Sequence, residues 1–227
     1  MDKIANNIEL VSLHIPKTAG TSFRSILLEN VSERNFAKVD IFNSGRIKVD
    51  DQYFSGNKLH RKVKAIHGHF PYRVLHDRFA IAPNAQFITW LRNPVERVLS
   101  NYYFLKSILQ ARINEQEDEN LLERFGKTLE EFVSHPENQN VMSNFLEEAP
   151  LESFAFIGIQ DKFETELVRL KNTMNWVVAN KEHNTTQNKR SKMDHSLETI
   201  AFIEKHNQQD IELYNKVLKL NGKSIIA

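Results

Sequence analysis

Short apolar runs, each handing over to a helical pattern, constrain this chain more than anything else in it. "IELVSLHI", "KVKAIHGH", "AQFITWLR" and "FAFIGI", with "NWVVAN" as the weakest example, are rich in β-branched and aromatic residues. Their length suits buried parallel strands. Helical patterns lie between them: Thr21 to Glu29 after the first run, Val95 to about Arg112 after the third, and "DKFETELVRLKN" after the fourth. Strands alternating with helices predict an α/β fold, a parallel sheet flanked by helices and joined by right-handed crossovers. The stretch of about 113–150 has helical periodicity and no strand-like run, so it reads as a helical insertion. "HNTTQNKRSKMD" is polar and reads as a loop, followed by two C-terminal helices over about 196–218. With 227 residues and no internal repeat, the expectation is a single domain, 1–227, able to bury a real core.

Composition narrows the chemistry. There is no cysteine, which excludes a disulfide framework, a thiolate metal site and a cysteine nucleophile. No apolar stretch approaches membrane-spanning length, and "MDKIANNIEL" lacks the basic-then-apolar layout of a secretion signal, so we expect a cytoplasmic protein with no integral membrane segment. The formal net charge is only +1, but residues 56–112 carry ten Lys or Arg against two acids, while residues 115–152 carry eleven acids against two bases. The acidic block reads as a solvated face. The basic block surrounds two candidate anion-binding motifs, as a site for a polyanionic ligand would.

The first motif is "PKTAGTS", directly after the first strand. Gly20 lets the backbone turn tightly, and Thr21 and Ser22 can cap the helix that follows. A helix start at the carboxyl end of a strand offers N–H groups and a positive dipole end to an anion, and Lys17 adds a full charge. A Walker loop needs Gly-x-x-x-x-Gly-Lys-Ser/Thr, whereas here Lys17 precedes the glycine. An ATP-type phosphate loop is therefore disfavoured.

The second motif is "LRNPVERVLSNYYFLK". Arg92 closes a strand, Asn93 can cap the next helix and Pro94 suits its first position, where no N–H is required. Arg97 and Ser100 are three apart and share a helical face. A guanidinium offers forked, charge-assisted hydrogen bonds to phosphate oxygens and a serine adds a neutral donor, so Arg92 and Ser100 can converge on one anionic group. Taken alone, Arg97 reads as a surface ion-pairing residue, Ser100 as bonded back to its own helix, and "NYYF", Trp90 and Phe87 as core.

The ordered combination of "PKTAGTS", "HGHF" and "RNPVERVLSNYYFL", with weaker echoes in "NQNVMSNFL" and "FIGIQDKFE", resembles the sulfotransferases, in particular the heparan sulfate 2-O-sulfotransferase type of the carbohydrate branch. The resemblance implies a P-loop nucleotide-hydrolase-like fold and the donor 3′-phosphoadenosine 5′-phosphosulfate (PAPS), which leaves as the bisphosphate PAP. It places Lys17, Thr18, Ala19, Gly20, Thr21 and Ser22 around the 5′-phosphosulfate, with Lys17 neutralising the leaving phosphate, and Arg92 and Ser100 on the 3′-phosphate. Lys189 and Arg190 lie in the polar loop where that family closes over its cofactor. The implied acceptor is a hydroxyl, on a glycan or glycoconjugate. The bisphosphorylated donor accounts for the basic block without nucleic acid, and the reading needs no metal.

Activating that hydroxyl leads to "KAIHGHF". On a strand His67 and His69 point to the same side, and a neutral imidazole is available near pH 7 to take a proton. The resemblance makes His69 the catalytic base and His67 a residue that orients it or lines the acceptor site. Other readings stay open at this point: a three-histidine metal site with His14, hydrogen-bonded core histidines without chemistry, a small-molecule or nucleotide kinase, and a non-catalytic nucleotide- or glycan-binding module.

Overall fold

A computed structural model of the protein describes residues 4–42, 44–60, 62–114, 127–178 and 191–224. Among them a seven-stranded sheet runs in the order β4-β3-β2-β5-β1-β6-β7. Its strands are β1 (Ile4–Leu13), β2 (Phe36–Ile41), β3 (Ile47–Val49), β4 (Gln52–Phe54), β5 (Ala65–Gly68), β6 (Phe79–Leu91) and β7 (Phe156–Ile159). The five from β2 to β7 along the sheet pair in parallel. At one edge β3 and β4 add in antiparallel fashion, so the sheet is mixed rather than wholly parallel. These short edge strands escape a search for apolar runs because only Ile47 among their residues is buried.

Helices cover the sheet: α1 (Gly20–Asn30), α2 (Leu75–Arg78), α3 (Pro94–Asn114), α4 (Leu129–Ser134), α5 (Val141–Phe145), α6 (Phe163–Met174), α7 (Leu197–His206) and α8 (Gln208–Ser224). One core layer packs α1 and α6 on the sheet through Phe23, Ile26, Leu27, Leu167 and Leu170, against Leu10, Phe36, Ala65, Ile88, Trp90 and Phe156. On the other face Ile8, Val11, Leu13, Ile66 and Leu91 meet Met142 and Val217. β1, at the sheet's centre, alternates buried and exposed residues over its first half and is wholly buried over its last four. That switch from period two to continuous burial is what a strand shows as it passes under helices on both faces.

In the described part of the stretch read as an insertion, 127–150, the α-helices are the short α4 and α5, and α7 and α8 stand at the C-terminal end. Residues 175–178 of "NWVVAN" form no strand; 179–180 lie outside the described residues. No described helix is long and apolar enough to cross a membrane.

Candidate active site

The site forms where β1, β5 and β6 end side by side. β1 leads through His14 into the "PKTAG" loop and then α1, whose first intrahelical bond runs from the Phe23 N–H to the Ala19 carbonyl at 3.0 Å. The N–H groups of Gly20, Thr21 and Ser22 therefore stand ahead of the ladder, where an anion is favoured. Thr21 and Ser22 are thus first-turn residues and not caps: the capping position is Ala19, which makes no side-chain cap bond. The tight turn is also not made by glycine. Positive φ angles fall on Lys17 (69°) and Ala19 (76°), conformations that cost a non-glycine residue and are held only when their surroundings insist. The Thr18 hydroxyl, fully buried, is part of that insistence, donating to the Ile15 carbonyl at 2.9 Å.

Gly20 serves a different need. A Cβ there would lie 1.8 Å from Cδ2 of His14, so the imidazole rests directly on the helix start. That ring stacks on His69 with centroids 4.2 Å apart and faces His67 at 5.1 Å. Burial, reinforced by the charges of His69, His67, Lys38 and Lys17, lowers the pKa of His14 to about 2. His67 is fully buried, its Nδ1 2.8 Å from the Ser12 hydroxyl, and burial with the charges of His69, Arg24 and Lys38 lowers its pKa to about 3. Both rings are neutral at ordinary pH. The three rings stack instead of pointing nitrogens at a common centre, and among the described residues no group of His, Cys, Asp or Glu is arranged to hold a metal ion.

His69 stands one residue beyond β5 and is held from both sides. Its N–H donates to Asp40 Oδ1 at 3.0 Å, and its carbonyl accepts from the Ile41 N–H at 2.9 Å. Its Nδ1 lies 2.7 Å from the His14 carbonyl. A carbonyl only accepts, so Nδ1 carries the proton and the neutral ring keeps its lone pair on Nε2. Gly68, between the two histidines, is required by close approach: a Cβ there would meet the Val39 carbonyl at 1.8 Å.

The second motif arrives from β6. Asn93 accepts from the Glu96 N–H at 3.3 Å, capping α3 as its sequence predicts. Arg92 is buried, and Nη1 donates to the Lys17 carbonyl and Nη2 to Glu96, each at 3.4 Å. These are long bonds, and Arg92 Nε has no partner. Burial lowers the Arg92 pKa, offset by Glu96 and Asp161. The two motifs, seventy-five residues apart in the chain, are thus in direct contact. Ser100, half-buried, lies one turn beyond Glu96 on α3; a turn further on, Phe104 carries the Lys17 ammonium 3.6 Å above its ring centroid. Lys17 and Arg92 thus meet α3 at Phe104 and Glu96, one turn to either side of Ser100. Glu96 also accepts from the Lys192 N–H at 2.9 Å. Lys189 and Arg190 lie outside the described residues.

Two features went unread in the sequence. His14 entered only as a metal ligand, although its place at the strand end before a glycine-opened helix is visible in "HIPKTAG". Arg97 is no surface residue: it is fully buried, 3.8 Å from Asp210 and donating to the Asn138 carbonyl at 3.0 Å.

The model of the Sulfotransferase family matches residues 3–217. The chain belongs to the Sulfotransferase family. Heparan sulfate 2-O-sulfotransferase hst-2 of Caenorhabditis elegans is 33% identical over 100 residues, which are 40% of this chain and 30% of that protein. The chain thus spans under a third of that curated relative's length. Among solved structures, mouse sulfotransferase SULT7A1 complexed with PAP matches over 89% of this chain and 64% of its own, with a TM-score of 0.43 and 12% identity. The sulfotransferase domain from the curacin biosynthetic pathway matches over 85% and 82%, with a TM-score of 0.37 and 13% identity.

Proposed function

We propose that this sulfotransferase-family protein transfers a sulfuryl group from PAPS to a hydroxyl of a carbohydrate acceptor, with His69 as the base. The observation that carries the proposal is the fixed tautomer of His69 beside an anion-binding helix start: its Nδ1–H is committed to the His14 carbonyl at 2.7 Å, and the His14 ring lies on Gly20. Bound PAPS supplies the sulfuryl group and a bisphosphate leaving group. Everything else falls to the chain. Nε2 of His69 takes the proton of the attacking hydroxyl, while the buried, neutral His14 and His67 keep like charge away from the ring that must become cationic. The N–H groups of Gly20, Thr21 and Ser22, in the loop begun by Lys17, Thr18 and Ala19, stabilise charge gathering on the departing phosphate. Lys17 adds a full charge by leaving the Phe104 ring, a contact worth about 0.5–2 kcal/mol and within reach of replacement by a phosphate.

Arg92 and Ser100 hold the 3′-phosphate. The unpartnered Nε and the long bonds of Arg92 fit a guanidinium whose firmer partner is an anion. Lys189 and Arg190 are assigned to the same cofactor, and His67 to the acceptor side, by resemblance alone.

Calorimetric titration with PAP beside ATP and magnesium tests the donor class, and two variants test the roles. His69→Ala should keep PAP affinity within about twofold and lower transfer by roughly 10²–10⁴. Arg92→Ala should weaken PAP by tenfold or more, on the order of a lost charged hydrogen bond, and spare an analogue without the 3′-phosphate. Preference for ATP, or equal loss of both nucleotides in Arg92→Ala, overturns the reading.

A further inference from the structure

The β3–β4 edge presents cations and aromatic rings that the core does not use. The pairing registers put Asp40 opposite Lys48, and Lys48 opposite Tyr53. The Phe42 N–H donates to the Arg46 carbonyl at 2.9 Å, continuing the same register past the strand ends. Directly opposed residues project to one face, so Phe42, Arg46, Lys48 and Tyr53 share the face that also carries Asp40 and Lys38. Arg46 lies 5.1 Å from the Tyr53 ring centroid, and Lys48 lies 5.0 Å from Tyr53 and 5.7 Å from Phe42. Tyr53 nevertheless remains 63% exposed and Phe42 40% exposed.

This ledge is continuous with the histidine cluster. Lys38 pairs with His67 across the β2–β5 register, and Asp40 holds the His69 N–H. Arg24, exposed on α1, acts electrostatically on both His67 and Asp51. The acids nearby are largely engaged: Asp51 and Asp40 pair with Lys38, and Asp50 accepts the Lys38 N–H. From β5 to β4 is three strand spacings, about 14 Å.

We infer that the β3–β4 ledge, built from Arg46, Lys48, Tyr53 and Phe42, is a binding subsite for an extended anionic oligosaccharide, holding sugars that flank the one presented to His69. The exposed rings offer apolar faces to the C–H faces of sugars, and the forked guanidinium and the ammonium beside them suit carboxylate or sulfate groups. The inference takes its direction from the sulfotransferase reading, but it is tested by binding alone.

The test titrates the 227-residue protein, saturated with PAP, with a heparin octasaccharide, a neutral maltooctaose and a twenty-residue oligothymidylate. The wild type should bind the octasaccharide and not the maltooctaose. The triple variant Arg46→Ser, Lys48→Ser, Tyr53→Ser should lose roughly 30-fold or more of octasaccharide affinity, as expected when two charge contacts and a ring are removed. Its PAP affinity should be unchanged, showing that the fold is intact. Unchanged octasaccharide binding in the triple variant, no binding by the wild type, or oligothymidylate bound as tightly with the same sensitivity each overturns the inference. A protein that ignores PAP but binds the octasaccharide through these residues sinks the proposed donor and supports the ledge.

Discussion

At the scale of single residues, the site turns on what lies over Gly20. Because the His14 ring occupies the space a Cβ would need, 1.8 Å from Cδ2 and 1.9 Å from Nε2, Gly20→Ala must displace the imidazole. The neighbours of that ring are His69 and His67, so the disturbance reaches the proposed base. We expect a stability loss of about 1–3 kcal/mol, the usual cost of overpacking, with a fall in kcat larger than any rise in KM. Denaturant unfolding and steady-state kinetics on one preparation check both parts; an unchanged kcat with lowered stability would remove His14 from the positioning of His69. The need for glycine here is legible in the sequence, but its reason is not. In the sequence it looks like turn chemistry, yet the turn is made by Lys17 and Ala19, and only a ring arriving from the end of β1 explains the missing side chain.

At the scale of elements, α3 carries the second motif and must be held at the angle that brings Phe104 beneath Lys17 of the first loop. Its anchor is Arg97, fully buried with its Nε 3.8 Å from Asp210 on α8. Asp210 also accepts the N–H groups of Met142 and Ser143 at 3.2 and 2.8 Å, closing the start of α5. In return, the Asn140 side chain accepts from the N–H groups of Gln209 and Asp210 in the first turn of α8, at 3.0 and 3.2 Å. One carboxylate thus joins three helices. Asp210→Ala leaves a buried guanidinium without its counter-charge, and we expect about 3–5 kcal/mol of destabilisation. The pair Arg97→Met with Asp210→Leu should recover much of that loss, because apolar replacements leave no charge to solvate. Thermal unfolding of the single and double variants decides it; an Asp210→Ala protein as stable as wild type would show that the pair contributes nothing. Helical periodicity reveals that α3, α5 and α8 exist. It does not reveal Arg97 as interior, since an arginine three residues from a serine on a helix normally faces water.

At the scale of the whole molecule, the buried histidines make folding depend on pH. His14 and His67 have pKa values lowered to about 2 and about 3 in the fold, against about 6.5 in the unfolded chain. Between those limits the unfolded chain binds protons that the fold refuses, so stability is full above pH 6.5 and is lost as pH falls. The loss should approach about 1.4 kcal/mol per pH unit for each ring. Denaturation midpoints measured from pH 8 to pH 4 should be flat and then fall below about pH 6, and substituting Asn at His67 should reduce the slope; a flat profile to pH 4 would mean the rings are more open to water. The sequence by itself determined the order of the main strands and helices, the loop leading from β1 into a helix start and the capped start of α3. Those features are local, written in hydrophobic period and in residues adjacent along the chain. Only the tertiary structure decided that Arg92 touches the Lys17 loop, that His14 stacks on His69 and fixes its tautomer, that Arg97 is interior, and that an antiparallel edge extends the sheet. The first three join residues tens of positions apart, and their energies arise from burial and close approach, which no local pattern along a chain encodes; the edge pairs near neighbours in strands of three residues, too short and too exposed to read as apolar runs.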